Sequence, residues 1–395
     1  MDLQERVTKA IEQAVKENLV AGANLLVLKD GEEVLYAQAG LADVEEKKEF
    51  ARDSIIRLYS QTKPITAAAA MILMERGEID LVQSVGEFIP AFHKLTVEKT
   101  PGERRAAYTP LTVQNLLNMT SGLPYPGDDR ACGIASAKVF DEACSRIGTD
   151  HEMSTLELAE RLAEGPLAYD PGTSWEYGTS ADVLGAVIEK VTGMRLADFM
   201  EQEIFKPLGM KDTAFYVPAA KQARLAKVYE TVYHADGTTG MIPYTGDNLA
   251  VCNRMDHQPG YMAGGAGLAS TLDDYSRFAT MLMNGGTYEG TRVLKPQTVR
   301  FMTGAELMPA QQAGFDSWIG LSGFSYGNLM RICKNPGQAG FIAGRGEYGW
   351  DGWLGAYFAN LPEERLTILM GTQKKDAGTF SLTRKLRNIV VSELC

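Results

Sequence analysis

The chain has 395 residues, of which 45% are hydrophobic and 23% charged, and its formal net charge is −11. This is ordinary globular composition, and the length allows a large core and more than one lobe. The acidic balance argues against nucleic acid and anionic membranes as partners. No apolar run approaches the roughly 18 residues needed to cross a bilayer, so membrane insertion is not expected.

The N-terminus, Met1-Asp2-Leu3, lacks the basic start and apolar stretch of a secretion signal. Apolar residues recur at helical spacing from Leu3 to Val15, which predicts an amphipathic helix. The cysteines are an odd number without metal-site spacing, which favours reduced thiols; they are Cys132, Cys144, Cys252, Cys333 and Cys395. We therefore expect a cytoplasmic protein without a metal site.

Two strand-like stretches, residues 23–29 and 34–39, flank Asp30-Gly31 and predict a β-hairpin. A helix is predicted over 64–76, where Pro64 is tolerated because first-turn amides have no partner within the helix. From Thr112 to about Lys211 the pattern is mostly helical with long loops. The clearest helices there are predicted at 155–163, 180–191 and 196–204.

Mixed turns and aromatic residues over 215–260 indicate a wall or lid segment. A helix is predicted over 271–283, with two aspartates near its positive N-terminal end. The last part of the chain combines short strands with turns and ends in a helix. The strands are predicted at 317–324, 349–358 and 366–371, and the helix at 380–394.

These elements predict an α+β fold and a single catalytic domain over 1–395. One antiparallel sheet would be built from the two ends of the chain and flanked by the N- and C-terminal helices. The sheet lobe would comprise about 1–60 and 261–395, and a mostly helical lobe about 61–260. An active site would lie between the lobes.

Ser60-Gln61-Thr62-Lys63 has S-x-x-K spacing, which places a hydroxyl and an amine on one face of a helical first turn. A serine hydroxyl is a poor nucleophile until a neighbouring base accepts its proton. Burial and the positive end of a helix both lower a lysine pKa, which would make Lys63 such a base. By composition about one such match is expected per chain of this size, so a helix cap followed by a surface lysine is the alternative.

Residues 323–327 match G-x-S-x-G, the nucleophile elbow of α/β-hydrolases, around Ser325. That fold requires a helix after the elbow and a later histidine. All four histidines (His93, His151, His234 and His257) precede Ser325, and the residues that follow it favour a strand at least as much as a helix. We interpret Ser325 as a coincidental match, and a serine nucleophile elsewhere then needs lysine or tyrosine as its base.

Two further stretches are candidates for the same chemistry. Tyr177 precedes a predicted helix and could reach into a cleft, where a lysine charge would lower its pKa from about 10. Taken alone, an aromatic packed at a helix start is the better interpretation. Residues 349–355 form a glycine-rich strand that could offer an amide to a developing oxyanion, or could be a bulge beside core tryptophans.

Taken in order, these stretches resemble the serine β-lactamase and penicillin-binding-protein superfamily, specifically class C β-lactamases and family VIII carboxylesterases. Residues 53–64 resemble the nucleophile block of that superfamily. Residues 116–123 resemble its Leu-Leu-x-His-Thr-Ser-Gly-Leu landmark, with Met119 in place of histidine. Residues 264–271, followed by Asp274 and Phe278, resemble another landmark. The similarity extends from the first hairpin to the last helix.

The resemblance implies that Ser60 is the acylated nucleophile and Lys63 its helper base. It implies that Tyr177 is the base for acylation and for deacylation. It also implies an oxyanion hole made by the backbone N–H groups of Ser60 and Trp353. Thr179 falls at an asparagine position of the family, where it would hold the substrate amide differently. No metal and no organic cofactor are required by this mechanism.

The family's Lys-Thr-Gly strand motif falls on Trp350, Asp351 and Gly352, which are therefore substrate-binding candidates. In β-lactamases and DD-peptidases the lysine helps to bind a substrate carboxylate and to tune the tyrosine. Tryptophan supplies neither charge nor ammonium donors, and a tryptophan rim favours apolar acyl or alcohol groups. We therefore expect ester hydrolysis with weak or absent β-lactam cleavage, although Arg345 is available to bind a carboxylate.

Tyr125, Tyr244 and Met262 are further candidates to line a pocket, and core packing is the expected role of each. The predicted partner is a small-molecule ester or amide substrate. The alternatives are a class C-like β-lactamase, a D-aminopeptidase or DD-peptidase, an acyltransferase that passes the acyl group to another alcohol, and a non-catalytic binding protein of the same fold. The sequence leaves the oligomeric state open.

Overall fold

A computed structural model describes residues 1–100, 102–127, 129–318, 320–378 and 380–395. Its centre is an eight-stranded antiparallel sheet whose strands come from the two ends of the chain. Eight further strands form four separate two-stranded pairs, β4 with β9, β5 with β6, β7 with β8, and β10 with β11. In chain order the strands of the described residues are β1 (Gly22–Lys29), β2 (Glu32–Asp43), β3 (Lys48–Glu49), β4 (Ile56–Arg57), β5 (Thr96–Thr100), β6 (Glu103–Ala106), β7 (Tyr229–Tyr233), β8 (Thr239–Pro243), β9 (Ala269–Ser270), β10 (Thr287–Tyr288), β11 (Thr291–Arg292), β12 (Phe324–Gly327), β13 (Met330–Cys333), β14 (Tyr348–Asp351), β15 (Tyr357–Leu361) and β16 (Leu366–Thr372).

The sheet has the strand order β12–β13–β14–β15–β16–β1–β2–β3. The C-terminal strand β16 therefore pairs with the N-terminal strand β1, with Leu25 opposite Met370. The predicted hairpin is confirmed, because Asp30 and Gly31 have φ of 55° and 86°, the left-handed pair that a two-residue turn requires. The predicted α+β fold, with one sheet made from both chain ends, is confirmed.

Helices pack on both faces of this sheet. They are α1 (Leu3–Lys16), α2 (Lys63–Glu75), α3 (Val85–Phe88), α4 (Val113–Leu117), α5 (Ala131–Arg146), α6 (Thr155–Ala163), α7 (Ser180–Thr192), α8 (Leu196–Met200), α9 (Lys206–Leu208), α10 (Leu272–Met283), α11 (Pro296–Thr303), α12 (Pro309–Phe315) and α13 (Ser381–Leu394). The terminal helices α1 and α13 contact each other and cover one face, where Ile11 and Leu386 share a core with strand residues such as Ile368.

Helix α2 is the central helix of the molecule. Every residue from Lys63 to Leu73 is buried, as expected for a helix that is apolar nearly all round. It contacts α7 in the helical middle of the chain and β14 of the sheet. Because Ser60 immediately precedes α2, the candidate nucleophile lies where the helices of the middle meet the sheet.

The strand predicted over 317–324 is wrong. The described residues before Phe324 form turns, because Gly320 and Gly323 adopt left-handed φ of 90° and 82°. The signal over 349–358 comprises the end of β14, a turn and the start of β15. The boundaries of the two predicted lobes stay a prediction. In the described residues no helix is long and apolar enough to cross a membrane, and no disulfide joins any of the five cysteines.

Candidate active site

Ser60 lies in a short 3₁₀ turn, Tyr59–Thr62, that runs directly into α2. The turn is held in an unusual conformation, since Tyr59 has φ of 45°, a left-handed value that is costly for a bulky residue. The Tyr59 ring is buried and meets the Trp353 ring edge-on, with centroids 4.9 Å apart. This bend carries the chain from β4 into α2 and leaves Ser60 at the wall of a cavity.

Lys63 is fully buried, one helical turn after Ser60. Its Nζ donates hydrogen bonds to Ser60 Oγ at 3.1 Å, to the Tyr125 hydroxyl at 3.1 Å and to the Gly265 carbonyl at 2.8 Å. Burial lowers the pKa of Lys63 to about 7, while the Asp182 carboxylate acts in the opposite direction. A substantial share of neutral amine therefore stands beside the serine hydroxyl at neutral pH.

Asp182, on α7, is a buried carboxylate that the sequence analysis did not single out. Its Oδ1 accepts hydrogen bonds from the Tyr261 hydroxyl at 2.5 Å and from the Gly265 N–H at 2.9 Å. Burial raises the pKa of Asp182, and Lys63 opposes this rise. A Cβ on Gly265 would lie 2.9 Å from both Asp182 Oδ2 and the Tyr125 hydroxyl, so a larger residue there would displace these two polar groups. The sequence did contain a signal for Asp182, because it is a charged residue among the apolar residues of α7.

The Tyr177 hydroxyl accepts a hydrogen bond from Trp350 Nε1 at 2.8 Å. Lys63 Nζ lies 4.6 Å from the Tyr177 ring centroid. Burial raises the pKa of Tyr177 above its usual value, and hydrogen bonds with Ser60 and Trp350 only partly oppose the rise. Tyr177 is therefore a neutral phenol at rest, whereas Lys63 titrates near neutrality, which pushes the two groups towards different roles.

Trp350 does not lie at the rim, where it was expected. Its side chain is 4% exposed, and its ring packs edge-on against Tyr326 with centroids 5.0 Å apart. Its indole N–H points at Tyr177. The tryptophan therefore supplies a neutral donor to the tyrosine, although it carries no ammonium group.

Beyond β14, the chain passes very close to the segment before Ser60. A Cβ on Gly352 would lie 2.1 Å from the Leu58 carbonyl oxygen, so only glycine fits. This close approach brings Trp353 beside Ser60. Within the described ranges, the backbone N–H groups of Ser60 and Trp353 donate to no protein acceptor. The arrangement matches an oxyanion hole, in which two amides wait for a developing negative charge.

The cavity in front of Ser60 has a volume of about 370 Å³. Four of its ten described lining residues are aromatic and none is lysine or arginine; the lining comprises Ser60, Tyr177, Trp318, Leu321, Trp350, Asp351, Gly352, Trp353, Asp376 and Gly378. The Asp351 carboxylate is paired with the buried Arg331 at 2.5 Å. Trp318, 4.7 Å from Tyr177 between centroids, was missed because it lies in a turn segment without a motif.

Several sequence candidates lie elsewhere. Thr179 is fully buried and absent from the cavity lining, so its predicted contact with substrate is not supported. Tyr125 contacts Lys63 instead of lining the cavity. Tyr244 packs edge-on against Trp353, at 5.7 Å between centroids, and Met262 is buried in the core. Arg345 donates to the Lys334 carbonyl at 2.6 Å and does not line the cavity.

Ser325 lies in β12 and is 1% exposed. Its hydroxyl accepts a hydrogen bond from the Leu307 N–H at 2.9 Å. The chain turns at Asn328 and Leu329, both with positive φ, and enters β13, so no helix follows the serine. The geometry is that of a β-hairpin, and it offers no nucleophile elbow.

Among the described residues, one cluster of metal-ligating residue types occurs, and it lies away from the cavity. Cys252, Asp256 and His257 place ligand atoms within 4.8 Å of one another. Both imidazole nitrogens are already engaged by carboxylates, Nδ1 with Asp256 at 2.9 Å and Nε2 with Glu152 at 2.6 Å. These are hydrogen-bond distances, so the cluster is an imidazole held between two acids.

A family model described as Beta-lactamase matches residues 7–391, so the chain belongs to the β-lactamase family. Esterase EstB of Burkholderia gladioli is 31% identical over 400 residues, covering 98% of this chain and 95% of that protein. The fold is similar to that of EstCE1, a hydrolase with promiscuous acyltransferase activity, with a TM-score of 0.80, 23% identity and 98% of each chain covered. It is also similar to a family VIII carboxylesterase, with a TM-score of 0.70, 20% identity, and 100% and 98% of the two chains covered. The resemblance inferred from the motifs is confirmed.

Proposed function

We propose that the protein is a serine hydrolase that cleaves carboxylic esters through an acyl-enzyme on Ser60. The observation that carries this proposal is the buried Lys63 amine, with a pKa lowered to about 7, at 3.1 Å from Ser60 Oγ. A buried amine that is neutral near pH 7 is a competent general base for a hydroxyl within hydrogen-bond distance. A strongly shifted pKa beside a specific partner in a cleft marks a candidate functional site.

In the proposed reaction, Ser60 Oγ attacks the ester carbonyl carbon and its proton passes to Lys63. The carbonyl oxygen becomes an oxyanion, which the Ser60 and Trp353 amides stabilise. Tyr177 donates its phenolic proton to the leaving alkoxide and is reprotonated from Lys63, so an alcohol departs and the acyl-enzyme remains. Water then enters by the reverse relay, and the carboxylic acid and free Ser60 are released.

The charge of the cavity favours an ester over a substrate with a free carboxylate. No cationic side chain belongs to the described lining, and the carboxylate of Asp351 is already paired with Arg331. Three tryptophans, Trp318, Trp350 and Trp353, offer apolar surface to an acyl or alcohol group. These features speak against the alternatives of a β-lactamase or a DD-peptidase, and EstB, a relative spanning nearly the whole chain, is named an esterase.

Acyl transfer to a second alcohol is the other candidate reaction. The tryptophans that line the cavity beside Ser60 offer apolar surface to an alcohol that would compete with water for the acyl-enzyme. The structurally similar EstCE1 is described as a hydrolase with promiscuous acyltransferase activity. An added alcohol that competes with water would appear as a new ester among the products.

The direct test is labelling with a fluorophosphonate probe, followed by peptide mass spectrometry. We expect an adduct on Ser60 and none in Ser60→Ala, while Ser325→Ala, a matched change of a buried serine, labels normally. Parallel assays with a short-chain aryl ester and a chromogenic cephalosporin should give turnover of the ester alone. Near-normal ester turnover by Ser60→Ala would contradict the proposal, and efficient cephalosporin cleavage would replace the ester assignment.

A further inference from the structure

The turn after β14, residues 352–356, carries the Trp353 amide that the proposed mechanism uses. The chain reverses there because the Gly352 N–H donates to the Ala356 carbonyl at 2.6 Å and the Gly355 N–H to the Gly352 carbonyl at 2.9 Å. These bonds fix the shape of the turn. They do not fix how the turn sits relative to Ser60, which depends on contacts that reach outside the turn.

The Trp353 side chain makes such contacts. Its ring lies against Tyr244 on one side and against Tyr59 on another, with centroids 5.7 Å and 4.9 Å away. Tyr59 directly precedes Ser60, and the peptide between them carries the second amide of the proposed oxyanion hole. Since Tyr59 is held at a left-handed φ of 45°, the orientation of that peptide depends on its ring staying in place. The Trp353 indole therefore helps to hold both the Trp353 amide and the Ser60 amide in position.

The loop after β16 holds this indole. Asp376 Oδ1 accepts a hydrogen bond from Trp353 Nε1 at 2.6 Å. The backbone of the same loop adds two bonds, from the Ala377 N–H to the Trp353 carbonyl at 2.9 Å and from the Lys374 N–H to the Leu354 carbonyl at 3.0 Å. The indole bond is the only one of the three that a side-chain substitution removes cleanly. This bond joins a neutral indole donor to a carboxylate and is exposed to solvent, so its loss should have a moderate effect.

We propose that Asp376 is a positioning residue for the oxyanion hole, holding the Trp353 indole so that the Trp353 and Ser60 amides stay aimed at one point. This inference rests on the proposed ester hydrolysis. In this scheme Asp376 acts through Trp353 and does not touch the reacting atoms. Its loss would weaken stabilisation of the transition state and leave substrate binding to the aromatic walls intact.

The test is steady-state hydrolysis of a short-chain aryl ester by variants at the two ends of this bond. For Asp376→Ala we expect a fall in kcat of about tenfold, smaller than the loss of a whole oxyanion donor. KM should change by less than about twofold, because ground-state contacts are kept. The midpoint of the pH–rate profile should stay where it is in the wild type, because Lys63 is not contacted.

Two further variants separate positioning from a general loss of structure. Asp376→Asn keeps an acceptor oxygen and should restore most of kcat. Trp353→Phe keeps the ring but removes the donor, and should lose about as much as Asp376→Ala; the double variant should be no slower than either, since both remove one bond. Asp236→Ala is the matched control: this exposed aspartate lies in the turn between β7 and β8, is bonded to Thr238, and is outside the cavity lining.

Unchanged kcat in both Asp376→Ala and Trp353→Phe would overturn the inference. So would additive losses in the double variant, or a loss that appears in KM instead of kcat, since the latter would make Asp376 a substrate contact. If Asp376→Ala does not fold, the comparison of Asp376→Asn with Trp353→Phe decides the matter, because the inference requires activity in the first and a loss in the second. Failure of the proposed function is a different result: no ester turnover in the wild type, or full turnover in Ser60→Ala.

Discussion

On one side of Ser60 lies a buried polar cluster, in which Lys63, Asp182 and Gly265 are joined by hydrogen bonds. On the other side lies an aromatic wall, in which Trp350 bonds to Tyr177 and Trp353 bonds to Asp376. The first side contains the group that titrates near pH 7. The second contains neutral indole donors. The comparison shows that the protonation state of Lys63 and the positions of the Trp350 and Trp353 donors are determined by different parts of the molecule.

The largest effect should come from removing the base. Lys63→Met keeps the volume of a long side chain but has no amine, so Ser60 has no nearby acceptor for its proton. We expect kcat for an aryl ester to fall by roughly a thousandfold or more, as for other bases in such a unit. Circular dichroism and the thermal transition would check folding, which an apolar residue should preserve at this buried position. If Lys63→Met retained a tenth of the wild-type activity, Lys63 would not be the base that accepts the Ser60 proton.

A smaller effect is expected from removing the hydrogen bond that Trp350 donates to Tyr177 in the aromatic wall. Trp350→Phe removes the indole donor but keeps an aromatic ring in the wall. We expect kcat to fall by about tenfold, which corresponds to the loss of one hydrogen bond of about 1.4 kcal/mol. The midpoint of the pH–rate profile should not move, because the variant leaves the surroundings of Lys63 unchanged. An equally large fall in a control such as Trp318→Phe, which also keeps a ring, would assign the effect to packing.

The smallest expected effect is a shift in the midpoint of the pH–rate profile, and it tests the polar cluster around Lys63 separately from the aromatic wall. The wild-type kcat/KM should rise with pH through an apparent pKa near 7 as Lys63 loses its proton. The Asp182 carboxylate favours the charged lysine, so Asp182→Asn should lower the Lys63 pKa further and move the midpoint to lower pH. The amide oxygen can still accept from Tyr261 and Gly265. A midpoint that moves to higher pH would contradict this electrostatic account.

Local sequence patterns were sufficient where one short segment determines the outcome. The spacing of Ser60 and Lys63 requires only a helical turn, and the hairpin at Asp30-Gly31 requires only two residues that accept positive φ. The strand predicted over 317–324 is interrupted by Gly320 and Gly323, whose left-handed φ of 90° and 82° do not fit a β-strand. The pattern of apolar and polar residues alone does not tell whether such a short segment forms a strand or a series of turns.

Contacts between distant segments were beyond prediction for a different reason. Asp182 meets Gly265 from 83 positions away, and the Trp350 donor reaches Tyr177 across 173 positions. Neither pair shares an element, so no periodicity links them. Thr179 shows the converse: its place in the motif predicted a substrate contact, yet packing around the start of α7 buries its side chain completely. Motif position gives the backbone site, and packing decides where the side chain points.

The close fit of Gly352 against the Leu58 carbonyl has a consequence for biosynthesis. During translation, the Ser60 segment leaves the ribosome almost three hundred residues before the turn that carries the Trp353 amide of the proposed oxyanion hole. Strand β1 likewise cannot pair with β16, which comes from the other end of the chain, until that end has been synthesised. Pairings of such long sequence separation form late in folding. We therefore expect a nascent chain to carry the proposed nucleophile without the Trp353 amide, and ester hydrolysis to begin only once synthesis has passed the loop that contains Asp376.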